Sequence, residues 1–457
     1  MSQPNILFII SDDHRHDATR AYGDPIVQTP NLDKLAASGT SFRHNHIMGG
    51  LSGAVCVPTR ACIQTGASVF RACGHNDLRD GKGYNTINPD LALMPETFRQ
   101  AGYHTFGTGK WHNDRASFAR NFADGGKIFF GGMSDHDKVP TNDFDPTGEY
   151  SRDEIYMGED LSTEMFAGAA INFLNNHASG ENGEQPFFLY CSFTAPHDPR
   201  TSPPEYADMY KADTMPLPPN FRSHHGIDNG DLYLRDEMLA EFPRTPEEIR
   251  QHIADYYGII THMDNAIGRV LDALADNGYA NNTIVVYVAD HGISIGQHGL
   301  MGKQNMYAHS VRVPMIVSGP NVPAGQEVHA LTYSYDLFPT LCEMAGIDVP
   351  ASVESNSLVS LVKSPEGDGR AHVCTVYRDV QRMVNDGEWK LIRYYHSDVT
   401  DTGEDTIQLF HVAEDPWELN DLSKDPAHQD RLASLAATLS TWMVEAGDPW
   451  ADRPVLV

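Results

Sequence analysis

The chain is 457 residues long, 40% hydrophobic and 21% charged, enough apolar material for a large core and too much for disorder. Its 62 acidic residues against 33 basic ones give a formal charge of −29. That balance excludes a duplex nucleic-acid binder, which must neutralise phosphates, and disfavours docking on an anionic membrane. The longest apolar runs, Ile6 to Ile10 and Ile284 to Val288, fall far short of the ~20 residues that span a bilayer. The segment Met1-Ser2-Gln3-Pro4-Asn5 has no basic start, so the sequence as written reads as cytoplasmic; a removed signal would make the protein periplasmic or secreted. The six cysteines include no Cys-x-x-Cys pair, which points away from a disulfide scaffold or a zinc ribbon.

In chain order, Asn5 to Ile10 is a buried strand, apolar on both faces, that stops at Ser11-Asp12-Asp13-His14. A helix follows, with Thr29 as N-cap, Pro30 in its first turn and Gly39 as its stop. Pro95 to Ala101 reads as a short helix and Tyr103 to Gly107 as a strand. Asp160 to Ala178 is helical and Pro186 to Phe193 a strand. Thr245-Pro246 opens a long amphipathic helix that ends near Gly278, before strands at Thr283 to Val288 and Val313 to Val317. The alternation predicts an α/β fold, a large mostly parallel sheet with helices on both faces.

Two stretches, Ile128 to Tyr156 and Thr201 to Arg244, read as long surface insertions of the kind that shape binding sites. Past Pro350 the pattern changes to short turn-separated strands near His372 to Tyr377, Gln381 to Asn385, Trp389 to Tyr394 and Thr406 to His411. A terminal helix spans roughly Gln429 to Glu445. The expected division is a catalytic α/β domain over 1–365 and a smaller antiparallel sheet with a helix over 366–457.

Asp12-Asp13 stands at the carboxyl end of a buried strand, where open α/β sheets bind ligands. Adjacent carboxylates repel unless a cation sits between them, although a solvated turn would also carry this pair. Asp290-His291-Gly292 repeats the context at the end of a second strand. Three carboxylates and an imidazole suit one Ca²⁺, Mg²⁺ or Mn²⁺ ion. In Cys56-Val57-Pro58-Thr59-Arg60, Pro58 sits where a helix begins. Cys56 therefore lies at a helix N-terminus, where the macrodipole and free amides favour an anion, with Arg60 one turn on. A buried structural cysteine is the other reading of Cys56.

Cys56-x-Pro58-Thr59-Arg60 followed by Thr65-Gly66 resembles the signature of the formylglycine-dependent sulfatases. Further landmarks fall in that family's order: Pro4-Asn5-Ile6 leading to Asp12-Asp13, Lys110-Trp111-His112, Ala195-Pro196-His197-Asp198-Pro199, and Asp290-His291-Gly292 with Gly302-Lys303. Many members carry Asp-Asn where this chain has Asp290-His291; an Asp-His form also occurs. Related phosphonate and phosphodiester hydrolases, and choline sulfatases, tend to have Ala in place of Thr59, so Thr59 points to the mainstream sulfatases.

The resemblance implies an alkaline-phosphatase-like α/β domain with a smaller C-terminal domain. It implies a divalent cation, expected to be Ca²⁺, on Asp12, Asp13, Asp290, His291 and a Cys56 converted to formylglycine by a maturating enzyme. By the same likeness Arg60 and the metal activate a gem-diol hydroxyl, and Lys110 and Lys303 neutralise sulfate oxygens. His197 protonates the leaving alcohol, and His112 deprotonates the second hydroxyl to expel sulfate. The expected reaction is hydrolysis of a sulfate ester on a small or oligomeric carbohydrate. The competing readings are a phosphodiester or phosphonate ester hydrolase, and a non-catalytic binder of sulfated ligands. His298 and His309, close in sequence to Lys303, are weaker candidates for the pocket wall.

Overall fold

A computed structural model describes residues 3–73, 85–180 and 183–455. Among these residues the main sheet has eight strands. Their order is Gln326–Tyr333, Gly39–His46, Met315–Ser318, Thr283–Ala289, Asn5–Ser11, Phe187–Ser192, His104–Lys110 and Asp124–Phe129. All neighbours pair in parallel except Met315–Ser318, which runs antiparallel to both strands beside it. The α/β expectation, a mostly parallel sheet covered on both faces, is borne out.

The alternation of side chains along Asn5–Ser11 explains why that strand is apolar throughout. Ile6, Phe8 and Ile10 enter one core with Phe98, Phe188 and Val286, under the helices Cys56–Thr65, Met94–Gln100 and Leu337–Ala345. Leu7 and Ile9 enter the opposite core with Ile259, Met263 and Phe166, under Pro30–Ala37, Ser162–Ser179 and Pro246–Asp276. Both faces are dry, so neither register tolerates a polar residue.

Two helix starts are held in different ways. Thr245 caps Pro246–Asp276 as expected, its side chain accepting from Glu248 N at 3.3 Å. Thr29 does not cap Pro30–Ala37: its hydroxyl is turned to Asp33 Oδ1 at 3.1 Å. The free amides of Asn31 and Leu32 instead donate to Asp264 of the long helix, at 3.0 and 2.8 Å, so the cap is tertiary.

Three strands of the main sheet escaped the sequence pattern. Asp124–Phe129, which runs into the first insertion, begins Asp-Gly-Gly-Lys and reads as a loop. Gln326–Tyr333 and Gly39–His46 carry polar residues because they lie toward the sheet edge. A second sheet holds Val373–Tyr377, Gln381–Asn385, Lys390–Tyr394 and Thr406–Phe410, all antiparallel, with the helix Gln429–Ala446 packed on it. Its fifth strand comes from far upstream: Gly49–Gly50 pairs in parallel with Val373–Tyr377. Gly49 has φ +81°, and a Cβ there would lie 2.0 Å from Val376 O, so only glycine allows this approach. The pairing anchors the small sheet six residues before Cys56. No helix among the described residues is long and apolar enough to cross a membrane.

Candidate active site

Sheet register sets the acidic cluster. Ser11 pairs with Ala289 on parallel strands, so Asp12 and Asp290 emerge side by side. Successive residues of a strand would point to opposite faces. Asp13 breaks that alternation with φ +64°. Its amide donates to Asp290 Oδ1 at 3.3 Å, and its carbonyl accepts from Tyr256 Oη at 2.6 Å. His291 Nδ1 lies 3.1 Å from Asp13 Oδ1, and its Nε2 lies 3.5 Å from carboxylate oxygens of both Asp12 and Asp290. These four residues are fully buried.

Cys56 is the first residue of a helix, Cys56–Thr65, that is buried along its whole length. Its Sγ lies 3.0 Å from His112 Nδ1 and within ligand range of Asp12, Asp290 and His291. One turn on, Arg60 donates from Nε to Asp290 Oδ2 at 2.8 Å, and from Nη1 to Lys110 O at 2.9 Å and Ser192 Oγ at 2.7 Å. Arg60 thus clamps three strand ends together. Lys110 ends the His104–Lys110 strand and gives its ammonium to Asp12 and, at 2.6 Å, to Gly132 O. Gly109 just before it has φ +88°, and a Cβ there would fall 1.8 Å from Ser192 O. His112 is also left-handed, φ +62°, which swings its ring back over Cys56.

The remaining wall comes from two loops. Lys303 Nζ lies 2.9 Å from Asp13 Oδ1 and 3.0 Å from His197 Nε2. His197 Nδ1 lies 2.8 Å from Asp198 O, so the ring can donate there. The structure therefore brings Asp12, Asp13, Cys56, Arg60, Lys110, His112, His197, Asp290, His291 and Lys303 into one connected group. Cys56, His112, His197 and Lys303 line a cavity of about 280 Å³. His298 and His309 do not line it: they cluster with Tyr307, His298 stacked on its ring at 3.9 Å and His309 at 5.8 Å from it, with 6.0 Å between the two imidazoles.

The electrostatics ask for a cation. Burial would raise the Asp12 carboxyl, but Lys110, His197, Arg60 and Lys303 together hold it well below its usual range. Burial, then the charge of Asp12, pushes Asp290 up. Burial favours a neutral His291, yet Asp290, Asp13 and the contact with Cys56 together outweigh it and lift the imidazole to about 9. Asp12 Oδ1, Asp13 Oδ2 and His291 Nε2 are buried and make no hydrogen bond among the described residues. Asp12, Cys56, Asp290 and His291 hold ligand atoms within 4.8 Å of one another, and Asp12, Asp13 and His197 form an adjoining group; orphaned buried donors of this kind fit a divalent ion. Burial lowers the His112 imidazole, which keeps it neutral and able to accept a proton.

Sequence reasoning missed Asp198, Asp236, Arg235 and Gln304. Arg235 pairs with Asp198, and reaches Asp236 Oδ1 at 2.6 Å. Asp236 accepts from Gln304 Nε2 at 2.9 Å and stands 3.7 Å from Lys303 Nζ. Asp198 lay inside a recognised segment; Arg235 and Asp236 sit in an insertion with no periodicity to mark them.

A doubly covered, mostly parallel sheet with carboxylates gathered at its strand ends, facing a cysteine at a helix start and two lysines, is the arrangement of an ester hydrolase of the alkaline-phosphatase-like class. The family profile described as Sulfatase matches residues 4–347, and that of the N-sulphoglucosamine sulphohydrolase C-terminal region matches 296–445. A sulfatase of Formosa agariphila is 28% identical over 98% of this chain and 89% of its own length. An N-acetylglucosamine-6-O-sulfatase of Bacteroides thetaiotaomicron is 27% identical over 95% of this chain and 83% of its own. A solved structure in complex with its substrate D-glucosamine-2-N,6-O-disulfate has TM-score 0.79 at 23% identity, covering 99% of this chain and 100% of that one. The chain belongs to the sulfatase family and is a sulfuric ester hydrolase; a metal ion and formylglycine are general to that family.

Proposed function

We propose that the protein removes sulfate from an O-sulfated carbohydrate, with Ca²⁺ held by Asp12, Asp13, Asp290 and His291 beside a formylglycine at position 56. The observation that carries this reading is Cys56 itself: it opens a buried helix, 3.0 Å from His112 and within ligand range of Asp12, Asp290 and His291. The ion supplies a Lewis acid for sulfate oxygens, and the formylglycine supplies a nucleophilic hydroxyl together with a second one whose deprotonation expels sulfate.

The chain's own residues do the rest. Arg60, pinned to Asp290, keeps a fixed positive charge under position 56. Lys110 and Lys303 neutralise sulfate oxygens as charge redistributes. His112, neutral through burial, takes a proton at Nδ1. His197 presents Nε2 to the leaving oxygen while Nδ1 is tied to Asp198 O. The carbohydrate class rests on the likeness to the N-acetylglucosamine-6-O-sulfatase of Bacteroides thetaiotaomicron and on a rim built from a long polar and aromatic insertion. The division proposed with it is a catalytic domain over 1–365 and a smaller domain over 366–457.

The test is a panel of sulfated mono- and disaccharides, offered to matured enzyme with sulfate release as readout. A phosphodiester and a sulfate ester sharing one leaving group run alongside. Release from one or more sugars, with the sulfate ester preferred, is expected. Preference for the phosphodiester, or release from aryl sulfates alone, would remove the carbohydrate reading.

A further inference from the structure

Around the cavity mouth five side chains close a ring. Lys303 Nζ meets His197 Nε2 at 3.0 Å. His197 Nδ1 stands 3.3 Å from Asp198 Oδ1 and 2.8 Å from the same residue's carbonyl. Both oxygens of Asp198 meet the guanidinium of Arg235, the measured Nη2 contact being 3.1 Å. Arg235 Nη2 then reaches Asp236 Oδ1 at 2.6 Å, and Asp236 Oδ2 returns to Lys303 at 3.7 Å. The side chains of Asp198 and Asp236 are only 6% and 10% exposed, whereas that of Arg235 is 45% exposed. Two nearly buried carboxylates need a cation, and the planar fork of one arginine bridges both.

We propose that Arg235 is a positioning residue: it holds Asp198 and Asp236 so that His197 Nε2 and Lys303 Nζ point at the leaving oxygen and the sulfate. The inference rests on the proton-donor reading of His197. The guanidinium fork is committed to protein carboxylates through both terminal nitrogens, which distinguishes it from a substrate anchor. A reacting proton misplaced by a fraction of an ångström crosses a higher barrier, so aim matters more than affinity. Arg235 comes from the Thr201 to Arg244 insertion, so the loop that frames the substrate also aims the acid.

The test compares R235Q and R235K with the parent, all matured and checked for equal melting temperature. Rates are measured on N-acetylglucosamine 6-sulfate and on 4-nitrophenyl sulfate, whose leaving group needs little protonation. R235Q should lose roughly tenfold or more in kcat on the sugar sulfate and threefold or less on the aryl sulfate, with R235K recovering part of the difference. In parallel, the ¹⁵N imidazole signals of His197, assigned by subtraction with H197Q, should show Nδ1 keeping its proton against Asp198 O in the parent, so that the proton to be donated exchanges at Nε2 alone, and a mixture of protonation sites in R235Q. An unchanged His197 signal, equal loss on both sulfates, or a change in KM alone would overturn the proposal. Failure of the proton-donor reading shows elsewhere: H197A would then slow both sulfates equally, while the imidazole signal still decides whether Arg235 aims the ring.

Discussion

The floor and the rim of the cavity are built in opposite ways. At the floor Asp12, Asp13, Lys110, Asp290 and His291 are 0% exposed and grow from the ends of neighbouring strands, where backbone register fixes them. At the rim Met133 is 47% exposed and the Arg235 side chain 45%, and Tyr233, next in sequence to the lining residue Leu234, is 80% exposed, all on insertions outside the main sheet. Arg235 ties the two together through Asp198 and Asp236, and the Lys110 ammonium makes a second tie by donating to Gly132 O. A floor of this kind tolerates no change because each charge is neutralised by a neighbour in a dry setting. A rim of this kind can vary in substrate recognition without disturbing the chemistry.

Changes at the floor should therefore be severe. Asp290→Asn removes a proposed cation ligand and the charge that pairs with Arg60; turnover should fall roughly 10³-fold or more. Exhaustive chelation of the parent should do the same, with Ca²⁺ restoring activity and raising the melting temperature. Activity indifferent to both would detach the acidic cluster from catalysis.

At the wall between floor and rim, effects should depend on substrate. His197→Ala should cost about 10²–10⁴-fold on a sugar sulfate and far less on an aryl sulfate. Steady-state rates on the two esters measure this, and equal losses would assign His197 to some other task. A companion at the floor behaves differently: His112→Ala should leave sulfate attached at position 56, visible as added mass on the intact protein.

The smallest effect belongs to the rim. Tyr233 presents its ring to solvent, edge-on to Phe242 at 6.3 Å. Tyr233→Ala should raise KM for a sulfated disaccharide by roughly ten-fold or less and leave kcat unchanged, the scale of one aromatic contact. A large loss of kcat would mean that the rim takes part in the chemistry and that the contrast with the floor is false.

The same contrast decides what a sequence reader sees. Asp12-Asp13 and Asp290-His291 are legible because each ends a continuous apolar run, a signal carried by burial on both faces of a sheet. Cys56 and Arg60 are legible because a helix start and a short ordered motif hold them. Arg235 and Asp236 carry no such mark: their partners Asp198 and Lys303 lie 37 and 67 positions away, and contact across a loop leaves no period. Asp264 is hidden for a related reason, since it caps a helix more than two hundred residues upstream and leaves Thr29 with the right identity but another task. Strand Gly49–Gly50 shows only as two glycines, and its partner in the small sheet is visible only in three dimensions.

The central claim is that position 56 works as formylglycine on this floor. An unmodified thiol can attack sulfur, but its adduct has no second hydroxyl by which to collapse. The direct measurement is peptide mass across Cys56, taken on the same preparations whose sulfate release is assayed, over a series of differing maturation. Turnover should rise in proportion to the fraction bearing the aldehyde and extrapolate to zero for pure thiol. Full sulfatase activity from protein carrying only the thiol at Cys56 would contradict the account.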